Sequence, residues 1–126
     1  RIMTGQTIED VEKHIKKIAG PNAEVRMASG KNPSKISPTD SRAFNAIREI
    51  CREMDPKAIV APYLVMGGTD ARQYEDVCDN IYRYSPFLMN TGLLLTCHGT
   101  NERIPLDSLK DGVVFFKKYI KALTKD

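Results

Sequence analysis

The chain lacks most of the features that would assign it quickly. Its apolar stretches, Thr91 to Cys97 among them, fall far short of the roughly 20 residues a membrane-crossing helix needs, so no membrane partner is expected. Lysines and arginines are interspersed with acids and the net charge is only +3. There is no basic stripe of the kind nucleic acid requires. The three cysteines, Cys51, Cys78 and Cys97, are odd in number and widely spaced, and no C-x-x-C occurs. That argues against a disulfide framework or a zinc finger and predicts buried, reduced thiols, as in a cytoplasmic protein. No signal-like segment opens the chain. The chain starts Arg1-Ile2-Met3 rather than with an initiator methionine, and a piece of a longer protein is the expectation. Imidazole is scarce: His14 and His98 are the only histidines. Internal repeats and low-complexity segments are also missing.

What is present is ordinary in bulk. The 126 residues, 41% apolar and 28% charged, can bury a domain-sized core. Thr7 with Asp10 predicts a capped helix start, and Ile8, Val11, Ile15 and Ile18 recur at helical spacing until Gly20-Pro21. Glu24 to Ala28 alternates like a half-buried strand, and Arg1-Ile2-Met3 resembles the tail of another. Ser29 to Ser37 is rich in Gly, Pro, Ser and Asn and reads as a linker. Ser37, Pro38 and Asp40 predict a second helix start, with Ala43, Phe44, Ile47, Ile50, Cys51 and Met54 as its apolar stripe. Further strands are expected at Ala58–Ala61, cut short by Pro62, at Asn80–Tyr84 and at Leu93–Cys97. A last helix after Pro105 carries Leu106, Leu109, Val113, Phe116, Ile120 and Leu123 at spacings of three and four, a face suited to packing on a sheet. The expected fold is α/β: a partial mixed sheet with flanking helices.

Two short motifs concentrate the chemistry. In Gly67-Gly68-Thr69-Asp70-Ala71-Arg72, two glycines permit positive φ and close approach of a ligand to the backbone. Thr69 and the first amides of a following helix could hold an anion; a plain turn with a good N-cap is the alternative. In Cys97-His98-Gly99-Thr100-Asn101-Glu102, His98 sits at the end of an apolar run. It reads either as a hydrogen-bonded structural residue or as a metal ligand or general base. On a strand, Cys97 would point away from His98, which argues against joint ligation. His14, beside Lys13 and Lys16, reads as a solvated surface residue.

Taken in order, Ala61-Pro62-Tyr63-Leu64, Gly67 to Arg72, Asn80 to Pro86 and His98-Gly99-Thr100-Asn101-Glu102-Arg103-Ile104 resemble the C-terminal part of the M20 metallopeptidases. The nearest resemblance is to the Gly-Xaa carboxypeptidase and N-acyl-amino-acid hydrolase branch. The resemblance implies a catalytic domain with two zinc ions and an inserted lid that dimerises. Residues 1–29 would be the last part of the lid, an α+β piece, and residues 30–126 the closing segment of the catalytic domain. His98 would be the last metal ligand. Gly67, Gly68, Thr69 and Asn101 would face the substrate, and Arg1 would grip its terminal carboxylate through the guanidinium fork. Asp70, Arg72 and Glu102 would be supports.

The same resemblance marks what is missing. There is no H-x-D and no adjacent Glu-Glu, so the general base and most ligands of a two-metal site lie elsewhere. One histidine cannot hold two ions, and the chain by itself is expected to be zinc-poor and inactive. The parent is expected to cleave peptides or N-acyl amino acids beside a free carboxylate and to form a homodimer through the lid. A non-catalytic dimerisation module and an anion-binding domain are the competing readings.

Overall fold

A computed structural model describes residues 2–124. Regular structure is helical throughout: α1 (Ile8–Ala19), α2 (Arg42–Met54), a short 3-10 helix (Asp70–Tyr74), α3 (Thr91–Leu94) and α4 (Leu106–Thr124). The chain forms two compact units, residues 2–37 with 65–81 and residues 38–64 with 82–124.

In the first unit, α1 begins as its sequence predicts. Thr7 Oγ1 accepts from the Asp10 amide at 3.2 Å, and the Thr7 amide donates to the Asp10 carboxylate at 2.9 Å, a complete capping box. Gly20, at φ 72, ends the helix, and its N–H donates to the Lys16 carbonyl. The apolar stripe finds little cover, and Ile18 is 73% exposed. Asn32 ties two parts of this unit together. Its side-chain oxygen accepts from the Ile8 amide at 2.9 Å, and its carbonyl accepts from Arg72 at 3.4 Å. Ser37 bonds both backbone groups of Ile81, at 2.8 and 2.9 Å.

That use of Ser37 explains why the start of α2 differs from expectation. The hydroxyl is spent on Ile81, and Ser41, four residues later, caps the helix instead by accepting from the Phe44 amide at 3.1 Å.

The second unit holds the core. Ala46, Ile47 and Ile50 of α2 pack with Phe115 of α4, which is 2% exposed. Tyr84 lies against Phe115 with ring centroids 4.9 Å apart, and Tyr119 stacks on it at 6.0 Å. Arg42 donates to the Ala122 carbonyl at 2.8 Å, and Lys118 pairs with Glu53. The face α4 buries is Ser108, Gly112 and Phe115. Of the stripe picked out by spacing, Leu106, Leu109, Val113, Phe116 and Ile120 stay exposed and Leu123 is half-buried.

The expected sheet is not formed. Among the described residues there is no strand and no bridge. A strand exists by pairing, because an unpaired ribbon leaves its backbone groups to solvent. Residues 22–28, 59–64 and 79–84 make no ladder bonds, and Ile59 is 92% exposed. Leu93–Cys97 fails for a different reason. Asn90 precedes the run and its side chain accepts from the Leu93 amide at 3.0 Å, so the run winds into α3 and the turns after it. Among the described residues, no helix is long and apolar enough to cross a membrane.

Candidate metal-binding turn

The turn after α3 is built by short-range bonds. Thr96 Oγ1 donates to the Leu93 carbonyl at 2.7 Å. The Gly99 amide donates to the Thr96 carbonyl at 2.8 Å, and the Glu102 amide to the Gly99 carbonyl at 3.3 Å. Glycine suits position 99, where a Cβ would stand a tight 3.0 Å from the Thr96 carbonyl oxygen. His98 takes φ 63, the left-handed region, alone among the described non-glycine residues. That conformation costs an L-residue of this kind on the order of 1 kcal/mol. It is held by a 3.0 Å bond from the His98 amide to Glu102 Oε2.

This backbone path brings three donors together. One ligand atom each from Cys97, His98 and Glu102 lies within 4.8 Å of the others, and all three residues are exposed. The hydrogen bond to Glu102 holds the Cys97 thiol pKa above its ordinary value. The expectation that Cys97 points away from His98 is therefore corrected. It rested on a strand, and in a left-handed turn the two side chains converge. Glu102, read from the sequence only as a support, belongs to the cluster. The one available signal is Asn90, whose capping chemistry predicts a helix start and so removes the strand on which the separation of Cys97 and His98 rested.

The other candidate residues fall as follows. Asn101 is exposed beside this turn, and its carbonyl accepts from Arg103 at 2.9 Å. Gly67, Gly68 and Thr69 are exposed and belong to the first unit. Neither glycine uses a positive φ, contrary to expectation. A Cβ at Gly68 would meet nothing within 4 Å, and one at Gly67 only a Val65 methyl at 3.8 Å. Nothing in the described chain therefore demands glycine at either position. Thr69 is the N-cap of the 3-10 helix by backbone, at φ −142 and ψ 161, without a side-chain capping bond to that helix. Arg1 lies outside the described residues. His14 is exposed on α1, as expected. The thiols of Cys51, Cys78 and Cys97 are all free. Cys97 and Cys78 are exposed rather than buried, while Cys51 is half-buried and donates to the Tyr84 hydroxyl at 3.1 Å.

A turn carrying an imidazole, a thiol and a carboxylate, in a chain with this order of motifs, belongs to a known class. The profile of Peptidase family M20/M25/M40 matches residues 2–122, and the chain belongs to that family. Among similar proteins is the probable carboxypeptidase S-like 1 of Dictyostelium discoideum, 31% identical over 95% of this chain and 25% of its own length. Another is the N-fatty-acyl-amino acid synthase/hydrolase PM20D1 of Bos taurus, 30% identical over 96% of this chain and 25% of its own length. The probable carboxypeptidase S-like 2 of Dictyostelium discoideum is 27% identical over 99% of this chain. The chain spans about a quarter of the length of these relatives. No solved structure matches it significantly.

Proposed function

We propose that this chain is the closing segment of a metal-dependent hydrolase that cleaves amide bonds beside a free carboxylate, in peptides or N-acyl amino acids. The observation that carries the reading is the exposed His98 turn, with its three convergent donors, inside a family match that covers nearly the whole chain. Relatives named as carboxypeptidases and as N-fatty-acyl-amino acid hydrolases support the substrate class.

The donor set suits zinc, which takes imidazole nitrogen, thiolate sulfur and carboxylate oxygen. When bound, zinc supplies a Lewis acid and lowers the pKa of a coordinated water. His98 would hold it through a ring nitrogen lone pair, with its backbone fixed by Glu102. Gly67 and Gly68 carry no side chain that would block a substrate from the main chain. Thr69, Asn101 and Arg1 would orient the substrate's carboxylate. The proton-accepting glutamate and the remaining ligands would come from outside this chain, so the chain alone would not turn over substrate.

Residues 1–29 would close the lid and residues 30–126 the catalytic domain. The lid would dimerise, and the exposed Ile15 and Ile18 of α1 offer apolar surface for such a contact. The unpaired thiols suit a reducing compartment such as the cytoplasm.

The test is amino-acid release from N-acyl amino acids and C-terminal dipeptides by the whole protein. Hydrolysis that stops on chelation and returns with zinc supports the reading. Hydrolysis indifferent to chelation, or none on any such substrate, overturns it.

A further inference from the structure

We propose that this chain binds a single zinc-class divalent ion by itself, through Cys97, His98 and Glu102 together. The reading above needs only His98 from this segment, within a larger metal centre. The present inference shares that histidine and adds the thiolate and the carboxylate as direct ligands.

The geometry carries it. The three donor atoms lie within 4.8 Å of one another. Tetrahedral ligation at zinc–sulfur, zinc–nitrogen and zinc–oxygen distances of about 2.0–2.3 Å sets donor separations near 3.3–3.8 Å. The donors must therefore close by at most about 1.5 Å, a shift that side-chain rotation supplies. All three side chains are exposed, so no packing opposes the movement and a fourth position stays open to water. The backbone is already placed. His98 occupies the left-handed region, Gly99 sits where a Cβ would press on the Thr96 carbonyl, and the Glu102 carboxylate is anchored near the turn by the His98 amide. Carboxylate has a second oxygen, so this anchor and ligation are compatible. The thiolate favours zinc or cobalt over magnesium or calcium, which take oxygen donors.

Cobalt(II) added to the 126-residue chain reads the site directly, because thiolate ligation gives an intense near-ultraviolet charge-transfer band. The expected result is one cobalt per chain with that band, displaced by zinc. The band is lost in Cys97→Ser and kept in Cys78→Ser, an exposed thiol outside the cluster. Zinc X-ray absorption of the unmutated chain, expected to show one sulfur at about 2.3 Å, does not depend on any variant folding. No cobalt binding, binding without the band, a band that survives Cys97→Ser, or a sulfur-free zinc shell each overturns the proposal. The wider reading of His98 is decided separately by zinc content in the whole protein, so the two fail by different measurements.

Discussion

The backbone amide of His98 donates to the Glu102 carboxylate at 3.0 Å and so holds the histidine at φ 63. A residue in that region persists only where its surroundings over-determine it. Glu102 therefore fixes the backbone from which the imidazole projects. In the whole protein, Glu102→Ala is expected to lower kcat/KM by about 10–100-fold, the usual cost of losing a partner that orients a ligand. Glu102→Gln keeps an acceptor for the amide and should recover part of the loss. Equal kcat/KM for Glu102→Ala and the natural protein would contradict the role.

A second relationship governs stability. A Cβ at Gly112 would stand 2.2 Å from Cε1 of Phe87 and 2.7 Å from Cδ1. Alanine favours a helix over glycine by about 1 kcal/mol, but overpacking a tight contact costs about 1–3 kcal/mol. The clash is expected to win, and Gly112→Ala should lower the urea midpoint. Adding Phe87→Leu should restore it.

Phe115 is the largest side chain fully buried among the described residues, and its ring meets Tyr84, Phe116 and Tyr119. Phe115→Ala is expected to cost about 3–5 kcal/mol. In a core whose other buried members are Ala46, Ile47 and Ile50, that should abolish cooperative unfolding, which calorimetry detects directly.

Alkaline pH should weaken the second unit through Tyr84. Burial, helped by the Cys51 hydrogen bond, raises its pKa well above the ordinary 10.0. In the unfolded chain the hydroxyl ionises near 10, while in the folded chain it keeps its proton. Stability from this group is full below pH 10 and falls as pH rises beyond it. Tyr119, raised chiefly by burial, acts in the same direction. Unfolding midpoints measured upward from pH 9 should fall less steeply for Tyr84→Phe than for the natural chain. Identical slopes would contradict the shift.

The sequence made the local helix signals legible, and much less of what depends on partners. Thr7 with Asp10 predicts the start of α1 because a capping box is a contact within four residues. Ser37 looked equally suitable for α2, but its hydroxyl serves Ile81, 44 positions away, a competition no local pattern reveals. The apolar periodicity of α4 located the helix but not its buried face. The buried face runs through Ser108, Gly112 and Phe115, with Phe115 packed on α2 and Gly112 against Phe87, partners that spacing within the helix does not show. The strands fail because pairing is a property of two segments, whereas alternation belongs to one. At the candidate site His98 was visible by its motif. Its convergence with Cys97 and Glu102 was hidden, because a turn reverses the directions that a strand would impose.

The most direct test is the zinc content of the whole protein against its His98→Ala variant, both purified without added metal and shown to be folded by circular dichroism. The account predicts that the variant loses bound zinc and, with it, hydrolysis of N-acyl amino acids. Full retention of both would contradict His98 as a metal ligand and remove the basis of the functional reading.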